Sequence, residues 1–194
     1  MSDRPHTAHY VETRTFSNEE DIYSYEKYRE SFEKYEQRTT DVAVVETGEA
    51  SNVKTYIVIP ATIFGRGTGP FNQYTMQLPT MIGAALNSGN CIVVGDGKTV
   101  WSHVHIQDLA NLFLVILRYM SESDRAPSGR KGIYFCESGS HTHLEFSERL
   151  AKAGGELGVF TSSEVQRVSI QEAGRQWAFG KSSRAELGFG AKYV

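Results

Sequence analysis

The chain has 194 residues, 40% of them hydrophobic and 22% charged, with a formal net charge of −3. That length and apolar content predict one soluble globular domain with a real core. The mild acidic balance points away from nucleic acid and from anionic membrane surfaces as partners.

Residues 1–16 show no periodicity and are predicted as loop. They are polar at the start and carry no apolar core of a secretory signal. Ser17-Asn18-Glu19-Glu20 has the S-x-x-E form of a capping box and predicts a helix start. Ile22, Tyr25, Tyr28 or Arg29, Phe32 and Tyr35 recur at helical spacing and carry that helix to about Gln37. Asp41 to Thr47 reads equally as strand or as a buried helix turn. Val53 to Ile59 is β-branched, ends at Pro60, and predicts a buried strand.

Residues 65–73 form a Gly-rich loop. Gln77 to Asn87 predicts a helix with Pro79 in its first turn. Cys91 to Val94 is a short strand, Gly95-Asp96-Gly97 a tight turn, and Trp101 to Ile106 a strand. Asp108 is the predicted cap of a helix from Leu109 to about Met120. Residues 121–132 read as exposed loop and Ile133 to Cys136 as strand. Ser140 or Thr142 caps a helix running to about Ala153. Val165 to Ser169 and Ile170 to Trp177 are the last strand and helix. The alternation predicts an α/β protein. Cys91 and Cys136 sit in apolar runs, as buried free thiols in a reducing compartment do. The longest apolar run, Leu112 to Leu117, is far too short to span a bilayer, so a cytoplasmic protein is expected.

Several patterns carry possible chemistry. Tyr23 and Lys27 form Tyr-x-x-x-Lys, which places both side chains on one helical face. An ammonium beside a phenol favours the phenolate, and such a tyrosine can exchange a proton with an alcohol or ketone. The plain alternative is a solvated stripe of Tyr23, Lys27, Glu30 and Lys34. Gly65-x-Gly67-x-Gly69 follows a strand as a phosphate loop does, but Pro70 follows it with no helix start, so a flexible loop over a pocket is favoured. His103/His105 and His141/His143 are His-x-His pairs. With no third ligand or cysteine pairing nearby, non-metal roles are expected. No G-x-G-x-x-G occurs anywhere in the chain.

Four blocks in order carry a resemblance: Tyr23-x-x-x-Lys27, Pro60-Ala61-Thr62-Ile63-Phe64-Gly65, Val94-Gly95-Asp96-Gly97, and Val104-His105-Ile106-Gln107-Asp108-Leu109-Ala110. Gly132 to Gly139 and Leu187-Gly188-Phe189 add to them. Together they resemble the extended short-chain dehydrogenase/reductase group, also called the NAD-dependent epimerase/dehydratase family, over roughly residues 17–190. The likeness is closer to fungal members of that group. The resemblance implies the C-terminal part of a Rossmann-type doubly wound parallel sheet plus a smaller substrate-binding lobe, with the N-terminal glycine-loop half absent. Rossmann-side elements would fall at about 1–65 and 98–120, and the lobe at about 66–97 and 121–194.

The same resemblance implies NAD or NADP as cofactor and a carbonyl or alcohol as the small-molecule substrate. Tyr23 would be the acid/base residue, and Lys27 would lower its pKa and hold the nicotinamide ribose. Pro60, Ala61, Thr62 and Ile63 would lie along the nicotinamide. The family's substrate-bonding Ser or Thr falls at or before residue 1, with Ser2 as a stand-in. The arginine that often precedes the V-H-x-x-D block in nucleotide-sugar members is replaced here by Val100, Trp101 and Ser102. A smaller or aromatic carbonyl compound is therefore expected, with Phe71, Tyr74 and Trp101 as apolar walls. A homodimer through the Tyr-x-x-x-Lys helix is the family's habit. Without the glycine loop, the chain is expected to bind cofactor poorly. The rival expectations are a non-catalytic ligand- or protein-binding relic, a truncated product that does not fold alone, and an epimerase or dehydratase on a sugar nucleotide.

Overall fold

The computed structural model describes residues 15–122 and 126–177. Ser2 and Leu187-Gly188-Phe189 lie outside the described residues. In chain order the elements are α1 (Ile22–Glu30), α2 (Glu36–Ala50), β1 (Ile57–Pro60), β2 (Thr62–Phe64), α3 (Gln77–Ser88), β3 (Cys91–Val94) and β4 (Val100–His105). They continue as α4 (Ile106–Glu122), β5 (Ile133–Cys136), β6 (Gly139–Thr142), α5 (His143–Glu156), β7 (Val165–Val168) and α6 (Ile170–Trp177). The described residues group into two compact units, one from residues 15–61 with 104–122 and 126–138, the other from 62–103 with 139–177.

In the first unit β1 and β5 run parallel, in register from Ile57 opposite Ile133 to Pro60 opposite Cys136. The pairing extends at both ends, through Ile57 N–H to Gly132 O and Ala61 N–H to Cys136 O. The core beneath joins Phe16, Ile22, Tyr23, Val45, Ile59 and Ile133. Burial of these side chains is the main force holding the helices to the strands.

Two expectations are corrected here, and one left open is resolved. The Ser17 box makes a turn, not the helix start: Ser17 N–H donates to Glu20 and Ser17 Oγ accepts from Glu19 N–H. The true cap is Asp21, whose carboxylate accepts from Ser24 N–H at 3.0 Å. The helix then stops at Glu30 instead of reaching Gln37. Glu30 turns back to accept from Tyr35 N–H and from the Thr39 hydroxyl. Arg38 donates to Glu33 O at 2.7 Å. Local side-chain bonds thus satisfy the backbone of a bend that the apolar spacing runs straight through. The ambiguous segment from Asp41 to Thr47 is the middle of α2, and Asp41, Val45 and Gly48 form its buried edge. Gly48 lets α2 cross close to the approach to β1, since a Cβ there would lie 2.8 Å from Val53 O.

Two boundaries also move. The strand predicted from Val53 begins only at Ile57, because Val53 N–H closes back onto Gly48 O and Thr55 O accepts from Gly129 N–H. Helix α4 starts at Ile106, so Asp108 sits in its first turn rather than at its cap. There its charge still complements the helix dipole.

In the second unit β2, β4 and β6 form one sheet, with β4 and β6 antiparallel. Strands β3 and β7 form a parallel pair in register from Cys91 opposite Val165 to Val94 opposite Val168. Strands β2 and β6 are not marked by the sequence patterns; each is only three or four residues long, and β6 has no apolar residue. Met81, Ala84, Ile92, Ala173 and Trp177 make one core, and Ala85, Cys91 and Ala151 another. The turn between β3 and β4 depends on glycine: Gly97 has φ +71°, and a Cβ there would lie 2.6 Å from Val93 Cγ2. Helix α5 opens with Thr142, not Ser140, in a complete capping box with Glu145.

Cys91 and Cys136 are both free thiols. Burial pushes the Cys91 thiol up to about 11, which keeps it protonated and unreactive. Among the described residues no helix is long and apolar enough to cross a membrane.

Candidate functional site

Helix α1 brings Tyr23 and Lys27 onto adjacent turns, as their spacing predicts. Tyr23 is only 2% exposed, with its ring in the core of the first unit. Its hydroxyl donates to Glu46 Oε1 at 3.0 Å. Lys27 Nζ lies 2.6 Å from that same oxygen and 3.4 Å from the Tyr23 hydroxyl. Glu46 belongs to α2, so one carboxylate joins the two helices.

A second ion pair adjoins the first. Arg130 donates to Glu49 through both Nε and Nη2, at 2.9 and 3.0 Å. Its guanidinium carbon stands 4.9 Å from the Tyr23 ring centre. Hydrogen bonds from Lys27 and then Tyr23 hold the Glu46 carboxyl below its usual range. The reciprocal bonds to Glu46 and Tyr23 raise the Lys27 ammonium. Arg130 lowers Glu49 in the same way. Sequence reasoning missed Glu46, Glu49 and Arg130. Their one local signal is the i, i+3 spacing of the two glutamates, and no sequence rule pairs them across the bend at residues 31–35 or with a residue 81 positions away.

The cluster has a definite place along the strands. Arg130 lies just before β5, and Gly129 bonds to Thr55 just before β1. Glu49 is in the last turn of α2, which leads into β1. The charged groups beside Tyr23 thus gather toward the amino ends of the parallel pair. The carboxyl ends carry Pro60, Ala61 and Cys136. Asp108 from the first turn of α4 is close enough that, after burial, its charge pushes the Cys136 thiol up. In open α/β sheets ligands bind outside the carboxyl ends of strands.

Of the predicted cofactor residues, Pro60 and Ala61 sit at that carboxyl end. Thr62 and Ile63 continue into β2 of the second unit and are half-buried. His105 accepts from Gln107 N–H at 3.3 Å, bracing the start of α4. Phe71 and Tyr74 are 86% and 61% exposed. Their loop is closed on itself by Gly67 N–H to Gln73 O, and Gln73 accepts from Arg66 and donates to Gly69 O. Trp101 is placed differently from those two. It is half-buried against the core, with the His143 ring edge-on at 3.9 Å between centroids. Among the described residues no three His, Cys, Asp or Glu side chains are grouped to hold a metal ion.

Parallel strands joined through helices, with the strands' carboxyl ends side by side, place the chain in the Rossmann-type α/β class. The model of the NAD dependent epimerase/dehydratase family matches residues 10–128, and the chain belongs to that family. It is similar to oxidase ucsJ of an Acremonium species, 25% identical over 129 residues that make up 62% of this chain and 37% of the oxidase. Its fold is similar to that of the PbgP3 protein from Burkholderia pseudomallei, with a TM-score of 0.52 and 14% identity over 79% of this chain and 46% of that one. A dTDP-glucose 4,6-dehydratase from Streptomyces venezuelae, DesIV, solved with NAD bound, matches 66% of this chain and 35% of its own at 22% identity and a TM-score of 0.47. The chain spans less than half the length of each of these relatives.

Proposed function

We propose that this chain carries part of an NAD(P)-dependent oxidoreductase acting on a carbonyl or alcohol, with the nicotinamide end of the cofactor beyond the carboxyl end of β1, along Pro60 to Ile63. The observation that carries this reading is the alignment of Pro60 with Cys136 at the shared carboxyl end of two parallel strands. Small and apolar residues there suit a flat, weakly polar ring. The Tyr23 cluster suits phosphate less, because Lys27 and Arg130 are already matched by Glu46 and Glu49. When bound, the nicotinamide would take or give a hydride at the substrate carbon. Similarity to an oxidase favours redox chemistry over epimerisation, and Val100, Trp101 and Ser102 supply no phosphate-binding arginine for a sugar nucleotide.

For Tyr23 and Lys27 the geometry best supports a tie between α1 and α2. The phenol is buried, and its proton is given to Glu46 near the amino ends of the strands. A second reading keeps them as the acid/base pair, and the 3.4 Å approach of the ammonium to the phenol favours it. In that reading Tyr23 exchanges its proton with the substrate oxygen while Lys27 holds the ribose.

Titration of the chain with NADH and NADPH, followed by cofactor fluorescence, tests the location. Weak but saturable binding that A61W weakens further is expected. No saturation at any accessible concentration overturns the proposal, as does binding indifferent to A61W. The conversion of aldehydes and ketones by Y23F then separates the two readings: retained turnover supports the tie, and lost turnover without a change in melting supports the acid/base pair.

A further inference from the structure

In the antiparallel pairing of β4 with β6, Trp101 lies opposite His141 and His103 opposite Gly139. Residues two apart on a strand share a face, so the His103 and His141 rings meet on the diagonal. Their Nδ1 atoms are 2.8 Å apart and their ring centroids 4.9 Å. Gly139 makes this contact possible, since a Cβ there would lie 2.8 Å from His103 Nε2. Phe64 of β2 meets the His103 ring edge-on at 5.3 Å, and Phe146 of α5 lies 6.0 Å from His141.

A bond between two Nδ1 atoms requires one ring to donate and the other to accept. In the neutral pair one ring must carry Nδ1–H and the other Nε2–H. One added proton goes to the unprotonated Nε2 of the donor ring, and the bond becomes charge-assisted. A second added proton puts N–H on both Nδ1 atoms and sets two cations in contact, so the bond breaks. We propose that His103 and His141 form a proton-sharing clamp between β4 and β6 that holds in the neutral and singly protonated states and opens when the second proton binds.

The groups around the pair act in both directions. Burial and His103 hold His141 below its ordinary value, Glu145 of α5 opposes this, and Arg149 of α5 adds to it. His143, at the start of α5, also feels His141. It titrates in acid by itself, so the test must separate the two events.

The test is NMR of the full chain with 15N-labelled histidine rings from pH 8 to pH 4, with amide exchange followed at Trp101 and Gly139, which the bond from His143 N–H to Thr99 O and the pairing register place at hydrogen-bonded positions of β4 and β6. At pH 8 one of the two rings is expected in the Nδ1–H form. The pair should then titrate in two steps at least about tenfold apart in proton concentration, with protection at Trp101 and Gly139 lost at the second. H141N leaves an oxygen to accept from His103 Nδ1–H, and should keep the neutral-pH protection while abolishing the second step. Two Nε2–H rings titrating in a single step would overturn the proposal. So would an H141N variant that loses protection in acid as the parent does, since His143 alone would then account for the opening.

Discussion

The Lys27 ammonium and the Tyr23 hydroxyl converge on the same oxygen of Glu46, at 2.6 and 3.0 Å. A motif that reads from sequence as a proton-transfer pair thus also joins two helices in a knot through a third residue, Glu46. The exposed half of the knot, Lys27 with Glu46, contributes little to stability because water screens it. The buried phenol contributes more, because Glu46 satisfies a polar group inside the core.

Loss of that hydroxyl gives the first prediction. Y23F should lower stability by about 1 kcal/mol in urea melts, whereas K27A, at a fully solvated ammonium, should change it less. Equal and large losses from both would mean that the ion pair, not the buried bond, holds α1 to α2.

Acid sensitivity follows from His143. Burial, with a smaller push from His141, holds its imidazole down to about 4. A folded value below the unfolded one means the fold resists protonation. The stability it carries is complete above about pH 6.5 and is lost as pH falls toward 4. The full loss amounts to about 3 kcal/mol. Urea melts at pH 7, 5.5 and 4 should record it, and H143F should flatten the profile. An unchanged slope in H143F would remove His143 as the cause.

Gly97 gives a steric prediction. With φ at +71° and Val93 and Leu144 packed over it, G97A should cost about 2 kcal/mol or more. G95A, at φ +58° but with nothing within 4 Å of the added Cβ, should cost less. Thermal melts of the two variants decide the ranking, and the reverse order would contradict the packing described at this turn.

T142A tests the α5 cap. Removing the hydroxyl that accepts from Glu145 N–H should cost about 1 kcal/mol. The neighbouring S140A, outside the capping box, should be close to neutral.

Much of the fold was legible because it rests on local signals. The β-branched run before Pro60, the glycine turn at residues 95–97 and the Thr142 box all encode their elements within a few residues. The bend at residues 31–35 was not legible. It depends on Glu30 accepting from Tyr35 and Thr39 ahead of it and on Arg38 reaching back to Glu33, while Phe32 and Tyr35 keep a helical spacing that marks no break. Strands β2 and β6 escaped for a similar reason: runs of three or four residues become strand only through their partner. At the candidate site, Tyr23 and Lys27 were legible as neighbours. Their partner Glu46 was not, because it faces them only after the chain has folded back on itself. Trp101 reads as a pocket wall from its chemistry, and its packing against His143 is a tertiary fact with no local signal.

The central claim is that the nicotinamide end of the cofactor lies at the carboxyl end of β1 and not at the Tyr23 knot. Backbone amide NMR of the chain titrated with NADH tests it most directly. The account predicts shifts concentrated at Ala61, Thr62 and Ile63, with Tyr23, Lys27 and Glu46 nearly still. Shifts centred on Lys27 and Glu46, with Ala61 unmoved, would contradict it and return Tyr23 and Lys27 to the reaction itself.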